Sequence, residues 1–105
     1  MLDKRKFYIN GQWVEPSKKN DFDVINPSDE TVCAVISLGS QEDTNAAVAA
    51  ARAALPSWSN STKEDRVALL ERLYSIYQRR MDEMAEVISM EMGAPIDFSK
   101  SSQAT

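Results

Sequence analysis

The sequence has 105 residues, with 12 Lys and Arg against 16 Asp and Glu, giving a formal net charge of -4. That length allows one domain at most, burying roughly two thirds of the surface that the unfolded chain exposes. The charges are dispersed and no Lys/Arg run makes a basic footprint, which argues against nucleic acid as a partner.

Met1 to Lys6 is charged, with no apolar core and no small-residue cleavage site, so no secretion signal is expected. Phe7-Tyr8-Ile9 and Gln12-Trp13-Val14 flank Asn10-Gly11. A type I′ turn needs positive φ at both central residues, which Asn tolerates and Gly adopts freely, so this stretch predicts a β-hairpin. Pro16 to Asn20 is polar and reads as a loop. Phe22, Val24 and Ile25 form an extended run that ends at Asn26-Pro27-Ser28-Asp29, because Pro27 disfavours helix at Asn26 and favours a turn. From Thr31 to Leu38, Val32, Ala34, Ile36 and Leu38 alternate with Cys33, Val35 and Ser37. Both faces are fairly apolar, so cover on both sides is expected.

Ser40, with Asp43 three residues on, is a capping-box variant that starts a helix at Gln41. Its alanines, from Ala46 to Ala54, favour helix and allow close approach. Pro56 is expected to limit it near Leu55, which leaves Trp58 in a connector as an anchor over the end of a core. The next helix can start in either of two registers, Ser61 with Glu64 or Thr62 with Asp65. Its apolar positions, Val67, Leu70, Leu73, Tyr74, Tyr77, Met81, Met84, Val87 and Ile88, recur in steps of three and four and predict one buried stripe. Between Arg80 and Asp82 the helix either continues or restarts with Asp82 as a cap. Gly93 suits the left-handed position after a helix, and Pro95 prevents continuation. Ile96 to Thr105 carries no boundary signal.

The residues contain no complete active site. Without histidine, neither a Ser-His-Asp triad nor a Cys-His pair can be built, and zinc ligation fails for the same reason. Oxygen ligands remain, and they suit a hard cation. Gly11, Gly39 and Gly93 are too far apart for a phosphate-binding loop. Cys33, the only cysteine, can form no intrachain disulfide. This fits a reducing, cytoplasmic compartment, and in its strand Cys33 reads as a core residue rather than a nucleophile. The methionines from Met81 to Met92 and the pair Tyr74 and Tyr77 likewise read as core, and Glu86 as a solvated face. No apolar run reaches the length of a membrane span.

Several segments together resemble the N-terminal part of the aldehyde dehydrogenase superfamily. They are Tyr8-Ile9-Asn10-Gly11-Gln12-Trp13-Val14, Val24-Ile25-Asn26-Pro27, Glu42 to Trp58 with its Ala-Val-Ala-Ala-Ala-Arg centre, Arg66 to Arg80, and Glu91-Met92-Gly93-Ala94-Pro95. The resemblance implies an α/β fold in which a β-hairpin and short strands, Lys6 to Leu38, precede helices at about Gln41 to Leu55 and Thr62 to Met92. Residues 1–105 would then be an incomplete N-terminal part of the cofactor-binding and oligomerisation region, with the catalytic domain absent. It further implies NAD(P)-dependent oxidation of an aldehyde to an acid or thioester through a cysteine thiohemiacetal. The catalytic Cys, general-base Glu, oxyanion-hole Asn and dinucleotide-binding residues of the family all lie beyond the matched region. By this reading the chain alone is inactive scaffold, binds neither NAD nor NADP and meets aldehyde substrate only within the full-length enzyme.

One site carries over from the resemblance. Many members hold a monovalent cation by backbone carbonyls before Asn-Pro and an acidic side chain near the end of the helix before Gly, which here are Val24, Ile25 and Glu91. Glu91 could equally cap a local hydrogen-bond network. Ala94 stands where a frequent family variant has Lys. A homo-oligomer is expected, since an isolated segment exposes the Leu70 stripe, the Ala face or its strand edges. The alternative is a free-standing, non-enzymatic helical module for oligomerisation or partner binding.

Overall fold

The computed structural model describes residues 1–105. The chain forms two compact units, Met1–Val24 with Val32–Asn60, and Ile25–Thr31 with Ser61–Thr105. The chain passes between them within β4 and again at Thr31 and Asn60.

The first unit holds strands β1 (Leu2–Lys4), β2 (Phe7–Ile9), β3 (Gln12–Val14), all but the last residue of β4 (Asp21–Ile25), and β5 (Val32–Ser37). It also holds helix α1 (Gln41–Ser59). β2 and β3 pair antiparallel with Phe7 opposite Val14, Tyr8 opposite Trp13 and Ile9 opposite Gln12. The turn is the one the sequence predicts, with φ of 53° at Asn10 and 78° at Gly11. Tyr8 and Trp13 share a face, with ring centroids 5.2 Å apart at 60°. The remaining strands form a sheet in the order β1-β5-β4. β1 has no sequence signal, because only Leu2 among its three residues is apolar, yet it pairs parallel with β5, Leu2 opposite Ala34. β5 is central, and its cover is partial on both faces. Ala34 and Ser37 are buried, Cys33, Val35 and Ile36 half-buried, and Val32 exposed.

Helix α1 departs from the sequence expectation by continuing through Pro56 to Ser59, which puts Trp58 in its last turn rather than in a connector. Proline there removes only the donor to the Arg52 carbonyl, one bond near a helix end where few follow. The hydroxyls of Ser57 and Ser59 donate to the carbonyls of Ala54 and Pro56 at 3.2 and 3.0 Å, giving last-turn acceptors a partner.

The second unit is helical: α2 (Lys63–Arg79), α3 (Met81–Met92), the short α4 (Ile96–Phe98) and a π-helical turn (Ser99–Gln103). Of the two starting registers, Thr62 caps α2, its hydroxyl accepting from the Asp65 amide at 3.1 Å. The long stretch does break, but at Arg80, with φ -109° and ψ 10°. Asp82 falls in the first turn of α3 instead of capping it, and the Arg80 guanidinium bonds the Glu83 carboxylate at 2.9 Å. Gly93 ends α3 at φ 76°.

Ile96 to Gln103, silent in the sequence, turns back onto α3. Lys100 pairs with Asp82 at 3.2 Å, and the Tyr77 hydroxyl donates to the Ala104 carbonyl. Ala85, Ser99 and Ala104 are completely buried. The expected single buried stripe is corrected by the structure. Leu70, Leu73 and Tyr74 are 60–62% exposed, and Val67, Met84 and Val87 are exposed too. A helix stripe is buried only where an apolar layer lies against it. Within this unit, the cover on α3 comes from the turn after it and reaches Ala85 rather than the stripe.

Candidate functional site

The two ends of the cation ligand set suggested by resemblance are both shaped by chain breaks. β4 stops because Pro27 has no amide hydrogen to give to a ladder. The loop after it is closed by its own backbone, the Asn26 amide donating to the Thr31 carbonyl at 2.9 Å and the Glu30 amide to the Asn26 carbonyl at 2.8 Å. The Asn26 side chain accepts from the Ser28 amide, and the Asp29 carboxylate accepts from both the amide and the hydroxyl of Thr31. Those bonds hold the Asp29 carboxyl below its ordinary range. This loop begins at the residue after Ile25.

Glu91 occupies the last turn of α3, two residues before Gly93. Within the second unit, Gly93 and the Asn26–Thr31 loop meet closely enough that a β-carbon added at Gly93 would lie 2.9 Å from Cγ of Pro27. Ile25 and Glu91 therefore each stand two residues from one contact. The Glu91 side chain is exposed. No three His, Cys, Asp or Glu side chains gather to hold a metal, so a cation at these positions would rest on carbonyl oxygens together with a single carboxylate.

Val24, in the first unit, is half-buried, and its carbonyl accepts from the Cys33 thiol at 3.3 Å. Cys33 itself is free and half-buried on β5. Tyr77 is half-buried, whereas Tyr74 is exposed and its hydroxyl accepts from Gln78 at 2.8 Å. Met92 is exposed, its sulfur accepting from Gln103.

A feature that the loop reading missed sits at the start of α1. The Asp43 carboxylate accepts from the Ser40 amide and from the Ser17 amide, each at 2.9 Å, and the Ser17 and Ser40 hydroxyls are 2.6 Å apart. These hydrogen bonds, the Ser40 amide first and the Ser17 amide second, lower the Asp43 carboxyl from its ordinary range. The capping box was readable in sequence; its extension to Ser17 was not, because the two are 26 positions apart.

This arrangement also tests whether the chain could hold dinucleotide phosphates. Helix N-termini attract anions through unpaired amides and the helix dipole. Here the first turns already carry acidic residues: Glu42 and Asp43 in α1, Glu64 and Asp65 in α2, Asp82 and Glu83 in α3. Phosphate added at any of these termini would meet like charge.

The family model of the aldehyde dehydrogenase family matches residues 13–104. The chain belongs to that family. A 3-succinoylsemialdehyde-pyridine dehydrogenase of a Pseudomonas species is 45% identical over 96 residues, covering 91% of this chain and 20% of that protein. The crystal structure of an aldehyde dehydrogenase from Bartonella henselae is 49% identical at a TM-score of 0.96, covering 99% of this chain and 22% of its own. Aldehyde dehydrogenase C of Pseudomonas syringae, solved as a mutant with NAD+ and octanal, is 40% identical at a TM-score of 0.92, over 95% of this chain and 21% of its own. The chain thus spans about a fifth of the length of the relatives it matches. The α/β architecture expected from resemblance is the one found, and the match is to an N-terminal segment of the superfamily. Nothing found favours a free-standing interaction module. No helix is long and apolar enough to cross a membrane.

Proposed function

We propose that these 105 residues are the N-terminal scaffold of an NAD(P)-dependent aldehyde dehydrogenase that oxidises an aldehyde to a carboxylic acid, with nucleophile, base and dinucleotide site supplied outside them. The observation that carries this reading is the family match over residues 13–104 in a chain spanning a fifth of its relatives. Two features of the chain support the division of labour. Its helix N-termini are already acidic, and it has no histidine. The single cysteine, a thiol on β5 bonded to a carbonyl, supports a reducing cytoplasmic setting.

Calorimetric titration of NAD+ and NADP+ into the 105-residue chain and into the longest product of the gene separates the alternatives. Binding by the long product alone is the expected result. Micromolar binding by the short chain would refute the scaffold assignment.

The same reading includes two finer assignments. The first is a monovalent cation held by the Val24 and Ile25 carbonyls and the Glu91 carboxylate; the proximity of Gly93 to Pro27 and the exposed position of Glu91 support it. In the long product, Glu91→Gln should weaken potassium-dependent thermal stabilisation severalfold, and an unchanged potassium dependence would remove Glu91 from the site. The second is self-association, supported by the exposed apolar residues of α2 and by Tyr8 and Trp13 on the hairpin, which are 63% and 67% exposed. Light scattering should find an oligomer. A monomer with sharp cooperative unfolding would count against it.

A further inference from the structure

We draw no further inference here: the strongest candidate, the apolar groove of about 340 Å³ that Leu73, Ile76, Tyr77, Met84 and Val87 line where α2 meets α3, is an unpartnered face, and nothing in the structure shows what covers it.

Discussion

In the unit formed by Met1–Val24 and Val32–Asn60, distant parts of the chain are joined by a parallel β1–β5 ladder and by Ser17 reaching Asp43. In Ile25–Thr31 with Ser61–Thr105, they are joined by small residues removed wholly from water. The first kind of tie is directional and polar. Its hydrogen bonds lie at exposed or half-exposed positions, where water competes for both partners and the net gain is small. The second kind depends on shape: Ala85, Ser99 and Ala104 present no surface to water, so volume added there must be taken up by the neighbours packed on them. The first unit should therefore respond to changes in charge and hydrogen bonding, and the second to changes in volume.

The sharpest way to break that contrast is to overfill the second unit. Ala85→Leu places a large side chain where none is accessible, and overpacking of this kind costs about 3 kcal/mol. Hydrogen exchange should show protection lost from Met81 to Gln103 while β5 stays protected. Uniform loss over both units would mean that they do not respond separately.

Gly93→Ala probes the same unit through its backbone. The left-handed conformation at φ 76° is unfavourable for any residue with a β-carbon, and the new atom would lie 2.9 Å from Cγ of Pro27. The loss should be about 2 kcal/mol in urea unfolding. A loss below about half of that would mean that the Asn26–Thr31 loop moves aside, and that the contact beside Ile25 and Glu91 is soft.

In both units the sequence specifies some elements locally and leaves others to distant contacts. The hairpin was legible because Asn10-Gly11 is a local signal with one backbone solution, and Gly93 was legible for the same reason. Both helix caps were visible as spacings within four residues, although the choice of Thr62 over Ser61 was not. What stayed hidden was non-local or weakly patterned. β1 depends on pairing with a strand some thirty positions later, and its own three residues carry no alternation. The π-helical turn after Phe98 is specified by contact with α3 rather than by its Ser-rich sequence. Pro56 misled because its penalty is large in a helix interior and small in a last turn. The apolar stripe was legible as a pattern, but periodicity says which face seeks cover and not whether this chain provides it. Of the proposed cation ligands, periodicity indicated none. Carbonyl donors leave no trace in side-chain identity, so Val24 and Ile25 could come only from the Asn-Pro context of the family.

The smallest expected effect belongs to the first unit and follows from charge. Asp43 has its carboxyl lowered by the Ser40 and Ser17 amides, so its folded value lies below the ordinary 3.8. A carboxyl depressed by folding contributes stability that is fully present above its unfolded value and is lost as pH falls through the folded one. The clamp should therefore hold unchanged from neutral pH down to about 4 and loosen below it. Asp3 follows in the same unit, held at about 2 by its hydrogen bonds to Arg5, so its contribution outlasts the start of the titration. Both side chains are accessible to water, where screening keeps such contributions small. The readout is accordingly local: amide exchange at Ser17 and Ser40, followed from pH 6 to pH 3 with correction for intrinsic rates. Acceleration below pH 4 that disappears in Asp43→Asn places the polar tie at this carboxylate. If neither the parent nor the variant accelerates, the loop is held by the Ser17 and Ser40 hydroxyls, which do not titrate in this range, and the first unit is less charge-dependent than its geometry indicates.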